Sequence, residues 1–324
     1  MTATKRAILV KQLAREHGFD FCGIARADFL EEEAPRLERW LRLGKHGEMA
    51  YMNNWFDKRL DPRKLVDGAK SVICLMQNYY TDQVQTDPEA PRIAKYARGK
   101  DYHWVLKQKL FSIVDKLRAD VGDFNFRVFV DSGPVLEKAW AAKAGLGWIG
   151  KNSLLLTREH GSFYFLCEII VDFDLDYDRP ITDFCANCRK CQDACPTGAL
   201  VEPRILDARR CISYFTIEYR GDLPLELRDK FDNWMFGCDI CQDVCPWNRK
   251  SIPHYESLFN PDSEMLNKSK TEWQEITRDV YNRLFRDTAV TRTRFEGLKR
   301  NIKFLTALPA AGNSQEKKDG EISI

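Results

Sequence analysis

Eight cysteines carry the clearest chemistry in this chain, seven of them in two runs. The first run is Cys185-x2-Cys188-x2-Cys191-x3-Cys195-Pro196, and the second is Cys238-x2-Cys241-x3-Cys245-Pro246. The first matches the bacterial ferredoxin pattern, in which three cysteines hold one [4Fe–4S] cluster and the fourth crosses to the other. The second matches it without its first cysteine, whose place is taken by Met235, and Cys211 between the runs can supply the missing thiolate. The crossing rule assigns Cys185, Cys188, Cys191 and Cys245 to one cluster. It assigns Cys195, Cys211, Cys238 and Cys241 to the other. Zinc also takes paired CxxC, and disulfides use cysteines at any spacing. Neither explains why the x2-x3-Pro punctuation occurs twice. The pattern predicts one-electron transfer. Cys22, Cys74 and Cys167 lie in apolar stretches and read as buried core thiols.

A second candidate site follows the predicted strand Phe126–Val130, in Asp131-Ser132-Gly133-Pro134-Val135-Leu136-Glu137-Lys138. An acid at the C-terminal end of a strand sits at the mouth of an open α/β sheet, where ligands bind. The small residues there and in Gly145–Asn152 allow a large flat ligand to approach the backbone. A plain strand–helix turn with Asp131 as N-cap is the simpler alternative.

The elements that must position these residues read as an α/β core up to about residue 178. Helices are expected over 4–17, 31–43, 102–120 and 135–144, and strands over 19–24, 71–76, 126–130 and 163–171. The division by sequence is an α/β catalytic domain over 1–178, a ferredoxin-like domain over 179–255 and a helical segment over 256–310. Within that segment helix is expected from about 271 to 307. Residues 311–324 read as a disordered tail.

Bulk properties narrow the function. The chain has 324 residues, 44% hydrophobic content and a formal charge of +2. No apolar run approaches the ~20 residues that span a bilayer. The first residues contain neither a signal-peptide core nor a twin-arginine pair, so a cytoplasmic protein without membrane attachment is expected. There is no P-loop, no G-x-G-x-x-G after a strand and no CxxxCxxC near the start, which argues against nucleotide-cofactor and radical-SAM chemistry. His46-x-Glu48 lacks the P-C-x-x-C partner of a zinc deaminase.

The cysteine runs with Cys211 between them, together with DSGPVLEKAWAAKAGLGWIGKN, KYARGKDYH and HGEMAYM, resemble epoxyqueuosine reductase over residues 5 to 303. The resemblance implies a cobalamin-binding α/β domain related to that of reductive dehalogenases, joined to a ferredoxin-like domain with two [4Fe–4S] clusters. It implies reduction of the epoxide of epoxyqueuosine at the tRNA wobble position to queuosine. It makes Asp131 the proton donor, a role that calls for a pKa raised above the ordinary ~3.9. Tyr96, Arg98, Asp101, Tyr102, Ser132, Gly133, Lys138, Gly147, Trp148, Gly150, Lys151 and Asn152 fall in the segments it places at the cofactor, and His103 falls near tRNA. D-x-H-x-x-G, which would put a histidine beneath cobalt, is absent. The helical-repeat domain with which many members continue is expected to be missing.

Phosphate contacts are expected from basic residues interleaved with aromatics, and Arg59, Arg63, Arg292, Lys299 and Arg300 are the candidates for tRNA. An external donor of the flavodoxin or ferredoxin type would supply electrons, and the protein is expected to act as a monomer. Two rivals stand beside this reading: a corrinoid reductive dehalogenase, separable by halide release, and a non-catalytic ferredoxin-type carrier, favoured if no corrin binds.

Overall fold

The structure, a computed structural model, describes residues 1–306. The expected tail, 311–324, lies outside the described residues. Helix α1 (Ala3–Glu16) starts at Thr2, whose side chain accepts the Lys5 N–H, and buries Ala7, Val10, Leu13 and Ala14 on one stripe. Strand β1 (Phe21–Arg26) follows, then β2 (Ser71–Asn78), helix α2 (Tyr102–Val121), strand β3 (Phe126–Phe129) and helix α3 (Glu137–Lys143). A small hairpin of β4 (Trp148–Ile149) and β5 (Leu155–Leu156) precedes the long strand β6 (Tyr164–Val171).

The main sheet has the order β1-β2-β6-β3. Alternating strands and helices suggest a parallel ladder, yet every neighbouring pair is antiparallel. The connections between strands are long enough to leave strand direction free. The central strand β2 is buried along its whole length, which explains its unbroken apolar run. On β6, Phe165, Cys167, Ile169 and Val171 face one core and Tyr164, Leu166 and Ile170 the other, as the period of two requires. The first core is closed by α1 and α2, the second by Trp140, Ala141 and Ala144 at α3. Cys74 and Cys167 are buried, while Cys22 is only half-buried.

The stretch expected to be helical from 271 to 307 is broken. Ser269 caps a short helix at Lys270–Gln274 with a reciprocal Glu272 bond, and Thr277 caps a second at Arg278–Leu284. Arg294, at φ 61°, opens the last helix, α4 (Arg294–Thr306). Trp273, Phe285, Val290, Leu298 and Ile302 pack into the first core. The C-terminal segment is therefore part of the scaffold under α2.

Candidate active site

Two helices of four residues, Lys190–Asp193 and Ile240–Asp243, each carry the third or second cysteine of its run. Cys185, Cys188, Cys191 and Cys245 line a cavity of ≈ 240 Å³ with Phe184 and Trp247. Cys195, Cys211, Cys238 and Cys241 form the other group, close enough that Cys211, Cys238 and Cys241 each feel the charge of others in the set. Burial raises the pKa of Cys241 and Cys238, so binding of a metal centre must displace protons there. Among the described residues, no three His, Cys, Asp or Glu side chains converge tightly enough to hold a single ion. Thiols ringing a cavity of this size suit a multi-iron cluster and not zinc. The Trp148 indole N–H donates to Cys185 Sγ at 3.4 Å, and the Ala199 N–H donates to Cys195 Sγ at 3.3 Å. Such bonds tune cluster potential.

Several residues expected at the cofactor lie against the cysteine segment. Trp148 packs on Phe184 and Trp247, Lys151 Nζ donates to Ala186 O at 2.6 Å, and Asn152 Nδ2 donates to Cys241 O at 3.5 Å. Gly147 and Gly150 serve their own hairpin. A Cβ on Gly147 would stand 2.1 Å from Leu156 O, a backbone atom that cannot step aside. Gly147→Ala is expected to cost about 1–3 kcal/mol through overpacking and to lower iron at the neighbouring cavity. A thermal melt with iron analysis checks this.

The second site is built at the end of β3. Asp131 adopts a left-handed φ of 56°, and its N–H donates to Glu137 Oε1 at the start of α3. Gly133 is required because a Cβ would meet the Phe129 ring at 2.2 Å. Asp101 caps α2 by accepting the His103 N–H. This capping aims the next residues at Asp131. Tyr102 OH donates to Asp131 Oδ2 at 2.8 Å. The His103 ring bridges Asp101 Oδ1 (Nδ1, 2.7 Å) and Asp131 Oδ2 (Nε2, 3.2 Å). Tyr102 stacks between His103, 4.1 Å away, and Phe165, 4.2 Å away.

The electrostatics place the charges of this pair. Desolvation works to raise the Asp131 pKa, but the bonds from His103 and Tyr102 and the charges of His103 and Lys138 outweigh it. The carboxyl is held below its ordinary range. Desolvation likewise opposes the charge on His103, and the two carboxylates outweigh it, pushing its pKa up to about 9. At neutral pH the proton therefore sits on His103, the residue expected near tRNA, which is paired with Asp131. Desolvation, then the Asp131 charge, pushes Glu137 up to about 8. The Asp131 side chain nonetheless remains 60% exposed. It lies in a recess that protein crowds on most sides and leaves open on one.

Lys138 links the two sites. Its Nζ donates to Ser153 O at 2.8 Å, and its charge interacts with Glu137, Asp131 and Cys241. Tyr96 packs against the same apolar cluster as Cys211 and Cys238, and meets Tyr102 edge-on at 6.2 Å. The group Cys195, Cys211, Cys238 and Cys241 is thus the inner one. Arg98 is spent on the Ile93 and Gln83 carbonyls.

The basic residues expected to grip phosphates are mostly committed. Arg59 is only 8% exposed and holds the loop carbonyls of Tyr51 and Asn54. Arg300 donates to Phe215 O, Tyr219 O and Gly221 O, and Lys299 to Ile276 O. Arg63 is paired with Asp61, and Arg292 with Glu218. Counting charges along a sequence does not show such partners. The loop held by Arg59 instead presents Tyr51, whose hydroxyl feels Asp131 and Arg292, and Trp55, 63% exposed with Lys58 Nζ 4.1 Å from its ring centroid. Neither was singled out from sequence, although HGEMAYM contains Tyr51.

Two family models match the chain. One, 4Fe-4S double cluster binding domain, covers residues 184–248, and the other, Epoxyqueuosine reductase QueG, DUF1730, covers residues 59–132. An epoxyqueuosine reductase of Cellulophaga algicola is 57% identical over 304 residues, 94% of this chain and 99% of that one. A solved epoxyqueuosine reductase bound to a tRNA-Tyr epoxyqueuosine-modified stem loop superposes with a TM-score of 0.85 at 32% identity, covering 91% of this chain and 79% of that one. A Bacillus subtilis epoxyqueuosine reductase, solved with its aspartate-bearing catalytic loop swung out of the active site, gives 0.82 at 32% identity over 91% and 79%.

Proposed function

The chain belongs to the epoxyqueuosine reductase family, and on that premise we propose that Asp131 and His103 deliver the proton as the epoxide of epoxyqueuosine in tRNA is reduced to the alkene of queuosine. The observation that carries this reading is the bridge Asp101–His103–Asp131 with Tyr102, set at the open side of a recess beside the inner thiols. His103 holds the proton in the resting state. When the epoxide C–O bond breaks and negative charge grows on oxygen, the proton passes from His103 through Asp131 Oδ2 to that oxygen. Tyr102 and Asp101 fix the orientation of the pair.

The recess suits the family's cobalamin. It is open on one side and adjoins the inner thiols, and the histidine at its edge, His103, is spent on Asp101 and Asp131. Tyr96, Ser132, Gly133 and Lys138 would hold the corrin, with Gly147, Trp148, Gly150, Lys151 and Asn152 closing the wall towards the cysteines. When bound, the cofactor supplies the reducing equivalents at the epoxide carbon, drawn from the two [4Fe–4S] clusters. Tyr51 and Trp55 offer faces on which splayed anticodon bases can stack.

Electrons enter at the outer cluster. Arg158, Arg189, Lys190, Arg249 and Lys250 are exposed around it, with Arg158 over Phe184 and Lys250 over Trp247. Of the acids nearby, Asp183 and Asp193 are paired with Arg204 and Arg189, and Glu159 is exposed beside Arg158. This rim fits an acidic donor of the ferredoxin or flavodoxin type, with the reductase acting as a monomer in the cytoplasm. Reversing Arg249 and Lys250 to glutamate is expected to slow reduction by such a donor about tenfold or more and to flatten its salt dependence. Stopped-flow reduction checks this, since reduction by dithionite should be unaffected. The function itself is tested in cells. Deleting the gene should leave epoxyqueuosine in tRNA, restoring it should return queuosine, and failure to restore would contradict the reading.

A further inference from the structure

Glu168 is an acid where the fold asks for an aliphatic residue. It lies in the middle of β6, within FLCEIIV, and is 0% exposed. In the ladder it stands between Cys74 of β2 and Phe129 of β3. Neither of its carboxyl oxygens has a hydrogen-bond partner. Leu166 and Ile170, two residues to either side, face the core under α3, so Glu168 faces it too. Helix α3 begins with Glu137, which accepts the Asp131 N–H. Three carboxyls therefore run from the open recess into the core: Asp131, Glu137 and Glu168.

The charged groups that face Glu168 are Glu137 from α3 and Asp131 from the end of β3. The titratable thiols beside it are Cys74 on β2 and Cys167 on its own strand. Glu137 in turn faces Asp131, His103 and Lys138. No cation is aimed at Glu168, and an ionised carboxylate there would be both desolvated and repelled. Keeping a partnerless acid at such a place is costly unless its proton is used.

The reduction consumes two electrons and two protons: the epoxide gives the alkene and one water. His103 and Asp131 hold one proton between them. We propose that Glu137 and Glu168 form a proton store behind Asp131 which supplies the second. Asp131 gives a proton to the departing oxygen, Glu137 returns one to Asp131, and Glu168 restores Glu137. The electrons come from the clusters through the established activity, and solvent refills the store between turnovers. Burial and mutual repulsion, which push Glu137 up to about 8 and Glu168 well above the carboxyl range, keep both neutral at pH 7. Glu168 is a positioning and storage residue, since it touches neither substrate nor cofactor.

The inference rests on the role given to Asp131, and Glu168→Gln tests it separately. Glutamine is a neutral isostere of the protonated acid and should leave the melting temperature and both clusters intact. Infrared difference spectra of the holoenzyme, parent minus Glu168→Gln at neutral pH, should show a carboxylic-acid carbonyl band that shifts in D2O. Steady-state turnover of the variant should fall roughly tenfold, less than the 10²–10⁴ of a direct proton donor. Its alkaline limb should move to lower pH, and its solvent isotope effect should grow. Absence of the band overturns the proposal, as does a pH–rate profile superimposable on that of the parent. The infrared result needs no turnover. A failure of the Asp131 assignment alone would appear as normal turnover in Asp131→Asn, with the band still present.

Discussion

Asp131→Asn is expected to lower kcat by roughly 10²–10⁴ while leaving corrin binding and both clusters in place. Asparagine keeps the size and can still accept from Tyr102, so the recess should hold its shape. It cannot receive and release the proton that His103 holds. The variant should also change the pH profile. In the parent, His103 is pushed up to about 9 by Asp101 and Asp131. Its folded pKa lies above the ordinary 6.5, so the protonated form is complete at neutral pH and is lost as pH rises through about 9. Activity should fall over that range. Removing the Asp131 charge leaves His103 with Asp101 alone, so residual activity should fall at lower pH. His103→Asn should impair kcat comparably. Rate measurements across pH under saturating substrate check all three statements. Normal turnover in Asp131→Asn would remove the assignment.

Cys211→Ser is the second large effect. Cys211 is assigned as the ligand that the second run lacks, and it stands with Cys195, Cys238 and Cys241 in the inner group. Serine is a poor substitute for a thiolate at iron. The variant should lose the inner cluster, halve its iron content and abolish turnover, because the outer cluster has no other path to the recess. Cys74→Ser, a change at a buried core thiol, should leave iron unchanged and serves as the control. Iron and sulfide analysis with electron paramagnetic resonance of the reduced protein decides between them. Full iron in Cys211→Ser would contradict the ligand assignment.

What could be read in advance follows from how each feature is encoded. The cysteine runs were legible because ligand spacing along the chain is itself the constraint. Helix α2 and strand β6 were legible because burial imposes their periods. The antiparallel ladder was not, since nothing local records the direction in which a long connection returns. The resemblance through KYARGKDYH placed His103 near tRNA; its bridge from Asp101 to Asp131 spans positions that only the fold brings together. The lowered pKa of Asp131 in the protein alone was hidden for the same reason. Burial alone argues for a raised value, and the hydrogen bonds that reverse it come from the start of α2. Arg59, Lys299 and Arg300 looked free because their partners are backbone carbonyls, which leave no trace in a charge pattern. Glu168 was written plainly in the sequence as an acid inside an apolar strand.

The comparisons also settle between the rivals. A relative 57% identical over 94% of this chain and 99% of its own length carries the name epoxyqueuosine reductase. A bare ferredoxin carrier does not account for residues 59–132, which match the reductase model.

The most direct measurement is mass analysis of nucleosides after anaerobic turnover. The protein, loaded with iron, sulfide and cobalamin, would be given a low-potential reductant and tRNA bearing epoxyqueuosine. The account predicts conversion to queuosine by loss of one oxygen, dependent on cobalamin and absent in Cys211→Ser. Unchanged epoxyqueuosine, with both clusters and corrin spectroscopically intact, would contradict it.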